Sequence, residues 1–185
     1  ASDVYKRQAD ISMQSEIAAI QRLAKAAYAQ GKKHKVVLMI DLGDLREGIF
    51  FKDRRLIMET ARAVVESGAL ELYGLGTNLT CYGGILPDEN NMGVLCDIAR
   101  AIREKFGIEL PMVSGGNSSS MTMLMEGRLP AGINNLRLGE SFVLSNDTST
   151  GLPIDGMHSD AFILEAEIVE LQAKPSKPIG KSGMN

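Results

Sequence analysis

"KVVLMIDLGDLREG", residues 35–48, is the stretch whose reading decides the fold. Val36 to Ile40 is an unbroken apolar run. A strand with one wet face alternates apolar and polar residues, whereas an unbroken run of this length reads as a strand buried on both faces. That is the habit of parallel strands covered by helices. The second half turns abruptly polar. Asp41, Asp44, Arg46 and Glu47 cluster there, and Gly43 and Gly48 suggest a tight path. A polar loop at the C-terminal end of a buried parallel strand is where a ligand would lie in such a fold.

Working outward, the pattern repeats as strand, loop, helix. "ADISMQ" (9–14) is a short strand, and Ser15 is expected to cap a helix running to about Gln30, with Ile17, Ile20, Leu23, Ala24 and Ala27 on one face and Gly31 as the stop. Asp53 can cap the next helix, whose apolar face is Leu56, Ile57, Ala61 and Val64 and which Gly68 ends. "LELYGLGT" (70–77) is the third strand, and Asn90 or Asn91 starts a helix through Phe106, ended by Gly107. "LPMVSGG" (110–116) is the fourth strand, followed by a serine-capped helix to Gly127, and "INNLRLGES" (133–141) holds a short fifth strand. Strands alternating with helices mean an α/β fold of parallel βα units. The unusual segments, "DLGDLREG", "GTNLTCYGG", "SGGNSSS" and "RLGES", all fall on the strand-to-helix side.

The bulk properties bound the function. The chain has 185 residues, 44% apolar and 23% charged, which is globular composition. A net charge of −3 with scattered basic residues argues against a nucleic-acid partner. No apolar run approaches the roughly 20 residues that span a bilayer, so no membrane partner is expected. Cys81 and Cys96 make no disulfide framework, and a reducing cytoplasm is the expected location. No metal-ligand spacing occurs; His34 and His158 read as surface residues and Cys96 as core. Residues 1–8 have no apolar period and read as a non-native leader, and the chain as an internal fragment of a longer protein. Residues 9–150 form the first domain. Residues 151–185 read as a polar linker and the first strand, "AFILEAEIVELQAKP", of a β-rich second domain.

Several residues carry possible chemistry. Helix N-termini leave backbone N–H groups unpaired and carry partial positive charge, which suits an anion. Asn117, Ser118, Ser119 and Ser120 follow two glycines, and simple capping needs only one serine, so the segment reads as a phosphate site. Arg137 lies in an otherwise apolar strand, where a charge is costly without a partner. It is expected to point toward the barrel interior or mouth, and Gly139 would let the next amides reach a ligand. An edge-strand surface arginine is the bland alternative. Thr77 and Asn78 suit the orientation of an aromatic ring or phenolic oxygen. Cys81 is a candidate acid/base thiol, weighed against an ordinary loop cysteine, since no adjacent His or Lys would activate it.

"VVLMIDLGDLREGI", "LYGLGTNLTCYGG", "VSGGNSSSM" and "NNLRLGES" together resemble the alanine/ornithine racemase family of pyridoxal 5'-phosphate enzymes, closest to its ornithine racemase branch. The resemblance runs from about Ala9 to the end. It implies a TIM-type (β/α)8 barrel followed by a β domain, working as a homodimer; this chain would hold about the last five βα units. By similarity Ser118, with Asn117 and Ser119, binds the cofactor phosphate, and the amides around Gly139 and Glu140 complete the cradle. Arg137 matches the arginine facing the pyridine nitrogen. Because arginine offers only donors, such a contact tempers the cofactor's electron withdrawal, which suits racemisation over decarboxylation. Arg46 matches an arginine near the phenolic oxygen or the substrate carboxylate. Asn78 stands where relatives often carry a histidine, a departure that unsettles any ring-stacking role.

The implied reaction is interconversion of L- and D-amino acids, with ornithine or another basic amino acid as substrate and Asp44 and Glu47 as partners for its distal ammonium. Such chemistry needs a lysine to form the Schiff base. No lysine in the chain fits, so the fragment itself is expected to be inactive. Two other readings stand beside this one. A non-catalytic, cofactor-holding barrel acting in homeostasis would lack the second domain. A different phosphate-binding barrel, an aldolase or synthase, would place a catalytic lysine or carboxylate on these strands.

Overall fold

The computed structural model describes residues 9–180, so the proposed leader, residues 1–8, lies outside the described residues. Strand β1 (Ile11–Gln14) leads into helix α1 (Ile17–Ala29), and β2 (His34–Asp41) is followed by a two-residue strand β3 (Ile49–Phe50) and helix α2 (Arg54–Val65). Strand β4 (Leu70–Gly76) precedes α3 (Glu89–Phe106), and β5 (Met112–Ser114) precedes a 3-10 turn (Ser118–Ser120), α4 (Met121–Met125) and α5 (Glu140–Leu144). The sheet runs β1-β2-β4-β5, with β3 beside β2 and every pairing parallel.

The decisive run behaves as its composition demands. Val36, Leu38 and Ile40 are fully buried in the core shared with α1, α2 and α3, while Val37 and Met39 are buried on the opposite face. Each fully buried side chain of this kind contributes about 1.5–3 kcal/mol, so the run anchors both faces. Ile20, Ile57, Ala61, Val64, Leu95, Ile98 and Ile102 are the helical side of that core.

A bulge in β4 then sets which side chains face the functional side. Val36 pairs with Leu72 but Val37 pairs with Gly74, so Tyr73 is the extra residue. One inserted residue reverses the side-chain alternation. Leu72 and Leu75 both join the helical core, and Gly74 and Gly76 fall on the other face beside Val37 and Met39. A Cβ at Gly74 would stand 2.1 Å from the carbonyl oxygen of Met112, so no larger residue fits between β4 and β5.

Several local expectations need correction. Helix α1 is capped by Glu16 rather than Ser15, and the cap makes no side-chain hydrogen bond. Helix α3 begins one residue before the expected asparagines: Asp88 is the cap, and Asn91 completes a reciprocal capping box with it. The expected serine-capped helix to Gly127 is broken into the 3-10 turn and the short α4, with no capping side chain at either start. The expected strand over 133–141 shrinks to a single parallel bridge, Ser114 to Asn135. The cause is Asn134, whose amide accepts from Val113 N (2.8 Å) and donates to Pro111 O (2.7 Å), occupying the edge of β5 that a backbone ladder would use. His34 is no surface residue. It opens β2 half-buried, with Nε2 3.0 Å from Ser12 Oγ. Cys96 is half-buried rather than core. "AFILEAEIVELQAKP" pairs with no strand among the described residues, and its Ile163, Leu164 and Val169 are more than four-fifths exposed.

Candidate functional site

The site lies at the C-terminal edge of the sheet, where β2, β4 and β5 deliver Asp41, Thr77 and Ser114 side by side. Arg137 comes to it from the 133–141 segment. That segment runs beside the glycine turn after β5: Gly115 N donates to Asn135 O (2.9 Å), and Arg137 N donates to Gly116 O (2.8 Å). Gly116 adopts φ +106, a conformation that favours glycine, which turns the chain from β5 into the serine segment.

The guanidinium of Arg137 crosses the ends of β4 and β5. Nη1 donates to Ser114 Oγ at 2.6 Å, and Nη2 donates to Thr77 O at 2.7 Å and to Asn78 Oδ1. A Cβ at Gly76 would lie 3.1 Å from Nη1 and 3.1 Å from Met39 Sδ, so the bulge that turned Gly76 to this face also made room for the arginine. Burial pushes the guanidinium below its usual pKa, and the charge of Glu47 opposes that shift. Glu47 reaches Arg137 through Asn78, whose Nδ2 donates to Glu47 Oε1, and its other oxygen pairs with Arg46 Nε at 2.8 Å. The bland alternative for Arg137, an edge-strand surface residue, does not describe this half-buried side chain, both of whose terminal nitrogens are bonded.

Beside it is the serine segment. Ser118 is buried, and its Oγ accepts from the backbone amides of Gly139 and Ser141, both at 3.1 Å. Two amides and a hydroxyl thus converge on one point. Ser119 Oγ donates to Asn117 Oδ1 (3.0 Å) and Leu79 O (3.3 Å), and Ser120 Oγ donates to Gly115 O at 2.6 Å, so Ser119 and Ser120 hold the loop's shape. Asn117 Nδ2 donates to Cys81 Sγ at 3.3 Å, and Cys81 is exposed at the rim. Glu140 is exposed as the first residue of α5. Among the described residues four buried side-chain atoms have no hydrogen-bond partner: Thr77 Oγ1 and Ser141 Oγ at this edge, and Asn135 Oδ1 and Thr148 Oγ1. Buried polar atoms are rarely left so.

Thr77, Asn78, Asn117, Ser118, Ser119, Arg137, Gly139 and Glu140 therefore gather at one edge. Arg46 is at the same edge but exposed and tied to Glu47. Asp44, expected as a partner for a substrate ammonium, is turned inward instead. Asp44 is fully buried, and its carboxylate accepts from the amides of Cys81 (3.2 Å), Tyr82 (2.9 Å) and Ile85 (3.1 Å). Its charge pins the 80s loop to the 40s loop, and Glu47 is engaged by Arg46 and Asn78. Sequence reasoning missed that role; the signal was the pair Gly83-Gly84 facing an aspartate, since a Cβ at Gly83 would lie 2.7 Å from Asp44 O. It also missed Asp147, buried behind the serine segment, which accepts from Thr122, Ser149 and Thr150. Among the described residues no group of His, Cys, Asp or Glu could hold a metal ion, and no lysine contacts Arg137, Asn78 or Ser118.

Comparison with known proteins places the chain in a family. The family model described as alanine racemase, N-terminal domain, matches residues 1–146. An ornithine racemase of Acetoanaerobium sticklandii is 48% identical over 183 residues, 99% of this chain and 51% of that protein. A lysine racemase of Thermotoga maritima is 38% identical over 151 residues, 82% of this chain and 41% of that protein. The chain spans about half the length of the curated relatives it matches. Among solved structures, an alanine racemase from D-cycloserine-producing Streptomyces lavendulae shares the fold with TM-score 0.54 and 21% identity, over 76% of this chain and 37% of that one. The parallel sheet with its helices is thus the matching part of a TIM-type barrel, and the chain belongs to the alanine racemase N-terminal domain family.

Proposed function

We propose that this chain is the pyridoxal 5'-phosphate-binding part of an amino-acid racemase acting on ornithine or another basic amino acid. The observation that carries the proposal is the adjacency of two unlike recognition elements. One is a point where two backbone amides and Ser118 Oγ converge. The other is a half-buried guanidinium, Arg137, anchored by Ser114, Thr77 and Asn78. A phosphate ester of an aromatic nitrogen heterocycle has one end for each. The unpaired hydroxyls of Thr77 and Ser141 add two donors suited to the same ligand. The racemases named above, acting on ornithine and lysine, support the basic substrate.

In this reading Ser118, Asn117 and Ser119 with the amides of Gly139 and Glu140 hold the phosphate, and Thr77 and Asn78 border the ring. When bound, the cofactor supplies an electron sink that makes an amino acid's α-proton labile. Three of the five guanidinium N–H groups of Arg137 meet protein acceptors, which leaves its Nε–H and one Nη1–H to meet a ring acceptor. A guanidinium has no proton to give at ordinary pH, so it holds that acceptor unprotonated. Arg46, exposed beside Glu47, is the cation assigned to the substrate carboxylate. Cys81, exposed at the rim, is the thiol assigned to proton exchange. The described residues supply no amine at the site, and residues 9–180 alone are expected not to turn over. Residues 151–185 are assigned to a second domain, the active species to a homodimer and its location to the cytoplasm. Among the described residues no helix is long and apolar enough to cross a membrane.

The test is chiral chromatography of L-ornithine, L-lysine, L-alanine and L-serine after incubation with the full-length protein and cofactor. The D-form of a basic amino acid is expected, with Arg137→Ala lowering the rate at least a hundredfold. An unchanged rate in Cys81→Ser removes that thiol from the scheme. No D-product from any of the four substrates overturns the proposal.

A further inference from the structure

Arg137 is held on its far side by an amide that is itself held. Asn78 accepts from Arg137 through Oδ1 and donates to Glu47 through Nδ2. A carboxamide turned the other way would set its NH2 against the guanidinium and its oxygen against the carboxylate, two repulsive contacts in place of two attractive ones. The carboxylate therefore selects the amide's orientation, and the amide selects the guanidinium's. Glu47 is in turn fixed by Arg46 Nε at 2.8 Å. Nothing else on that side of Arg137 does the same work, since Ser114 and Thr77 hold the guanidinium from the sheet.

We propose that Glu47 is a positioning residue that acts on Arg137 through Asn78, aiming the guanidinium at the ring nitrogen of the bound cofactor. The proposal rests on the cofactor reading above. Glu47 touches neither cofactor nor substrate in this role. It ties the loop after β2 to the residue that meets the heterocycle, so the two loops act as one unit.

The experiment compares two ligands that differ only at the ring position Arg137 would meet. Pyridoxamine 5'-phosphate forms no covalent bond to a lysine, and its 1-deaza analogue carries C–H in place of the ring nitrogen. Dissociation constants are measured by equilibrium dialysis for the full-length protein and for Glu47→Gln, Glu47→Asp, Asn78→Ala and the double variant Glu47→Gln/Asn78→Ala. Glu47→Gln keeps size and removes the charge that orders Asn78. It is expected to weaken pyridoxamine 5'-phosphate about tenfold and the deaza analogue by less than about twofold. Asn78→Ala removes both the relay and a residue that borders the ring, so it is expected to weaken pyridoxamine 5'-phosphate at least as much as Glu47→Gln and the deaza analogue as well, and the double variant to lose no more than Asn78→Ala, as members of one chain do. Glu47→Asp is expected to recover part of the loss. In Glu47→Gln, equal losses for both ligands or no loss for either, and in the double variant additive losses, overturn the role of Glu47 and leave the cofactor reading standing. A wild-type protein that binds neither ligand overturns the cofactor reading, and this inference with it.

Discussion

Asp44 carries a negative charge where water does not reach. Burial alone would raise its pKa, but amide donors from Tyr82, Ile85, Gly83 and Cys81 outweigh that and hold it below the usual carboxylate range. Three of those amides stand within 3.2 Å of its oxygens. Asn in its place keeps one oxygen and turns an NH2 toward amides that also donate. Asp44→Asn is therefore expected to cost about 2–3 kcal/mol, measured by urea denaturation. A loss below about 0.5 kcal/mol would mean that the loop is held by something else. Arg137 shows the complementary case. It is a half-buried cation with three protein acceptors; Gly76, which lacks a side chain, leaves room for it, and Gly116 accepts its backbone N–H.

Among elements, α3 is the clearest case of local chemistry placing a functional edge. Asp88 Oδ1 accepts from Asn91 N at 2.7 Å and Asn91 Oδ1 accepts from Asp88 N at 3.0 Å, closing the helix start. Asn91 Nδ2 also donates to Leu86 O, which ties the helix to the loop that Asp44 grips. Asp88→Ala is expected to cost about 1 kcal/mol and to speed hydrogen exchange at Asn91 while sparing the buried turn around Ile98. Uniform change along the helix would contradict a local cap. Strand β4 makes the same point through its bulge: one extra residue, Tyr73, carries Gly74 and Gly76 to the face where the site is built. In the serine segment the hydroxyls bond inward to Leu79, Gly115 and Asn117, and the helix breaks into a 3-10 turn and α4.

At the scale of the whole molecule, acid should unfold the chain in two stages. His34 has its pKa lowered by burial, with Asp10 opposing. A group depressed in the folded state contributes stability that is present above its unfolded value and lost as pH falls through the folded one, so for His34 the loss begins below about 6.5. Asp147, like Asp44, is depressed: burial raises it, but bonds from Ser149, Thr122 and Thr150 prevail. By the same sign the stability due to both aspartates is present above about 3.9 and lost below it. Melting temperature against pH is expected to show both declines. Asp44→Asn should flatten the lower one and His34→Gln the upper one; a single decline unaffected by either variant would refute the assignment. Among the described residues the sheet has β1 and β5 at its two ends, each paired on one side apart from the Asn135 bridge.

What the sequence by itself determined was the alternation of parallel strands and helices from β1 to β5 and the sheet edge that gathers the candidate residues. The run at 36–40 could only be a strand buried on both faces, and the caps and stops at Asp53 and Gly107 act within one turn of chain. It also placed Asn78 and Ser118 after successive strands and Arg137 in the segment that follows, and the family resemblance assigned the three to one ligand. Only the tertiary structure decided what each polar residue does. Asp44 and Glu47 are both carboxylates in one loop, yet one is folded inward onto amides from a loop some 40 residues away and the other faces an amide that faces Arg137. Periodicity and capping are local and leave a trace in neighbouring residues. The partner of a buried charge is chosen by contacts between distant segments, which no short stretch of sequence records.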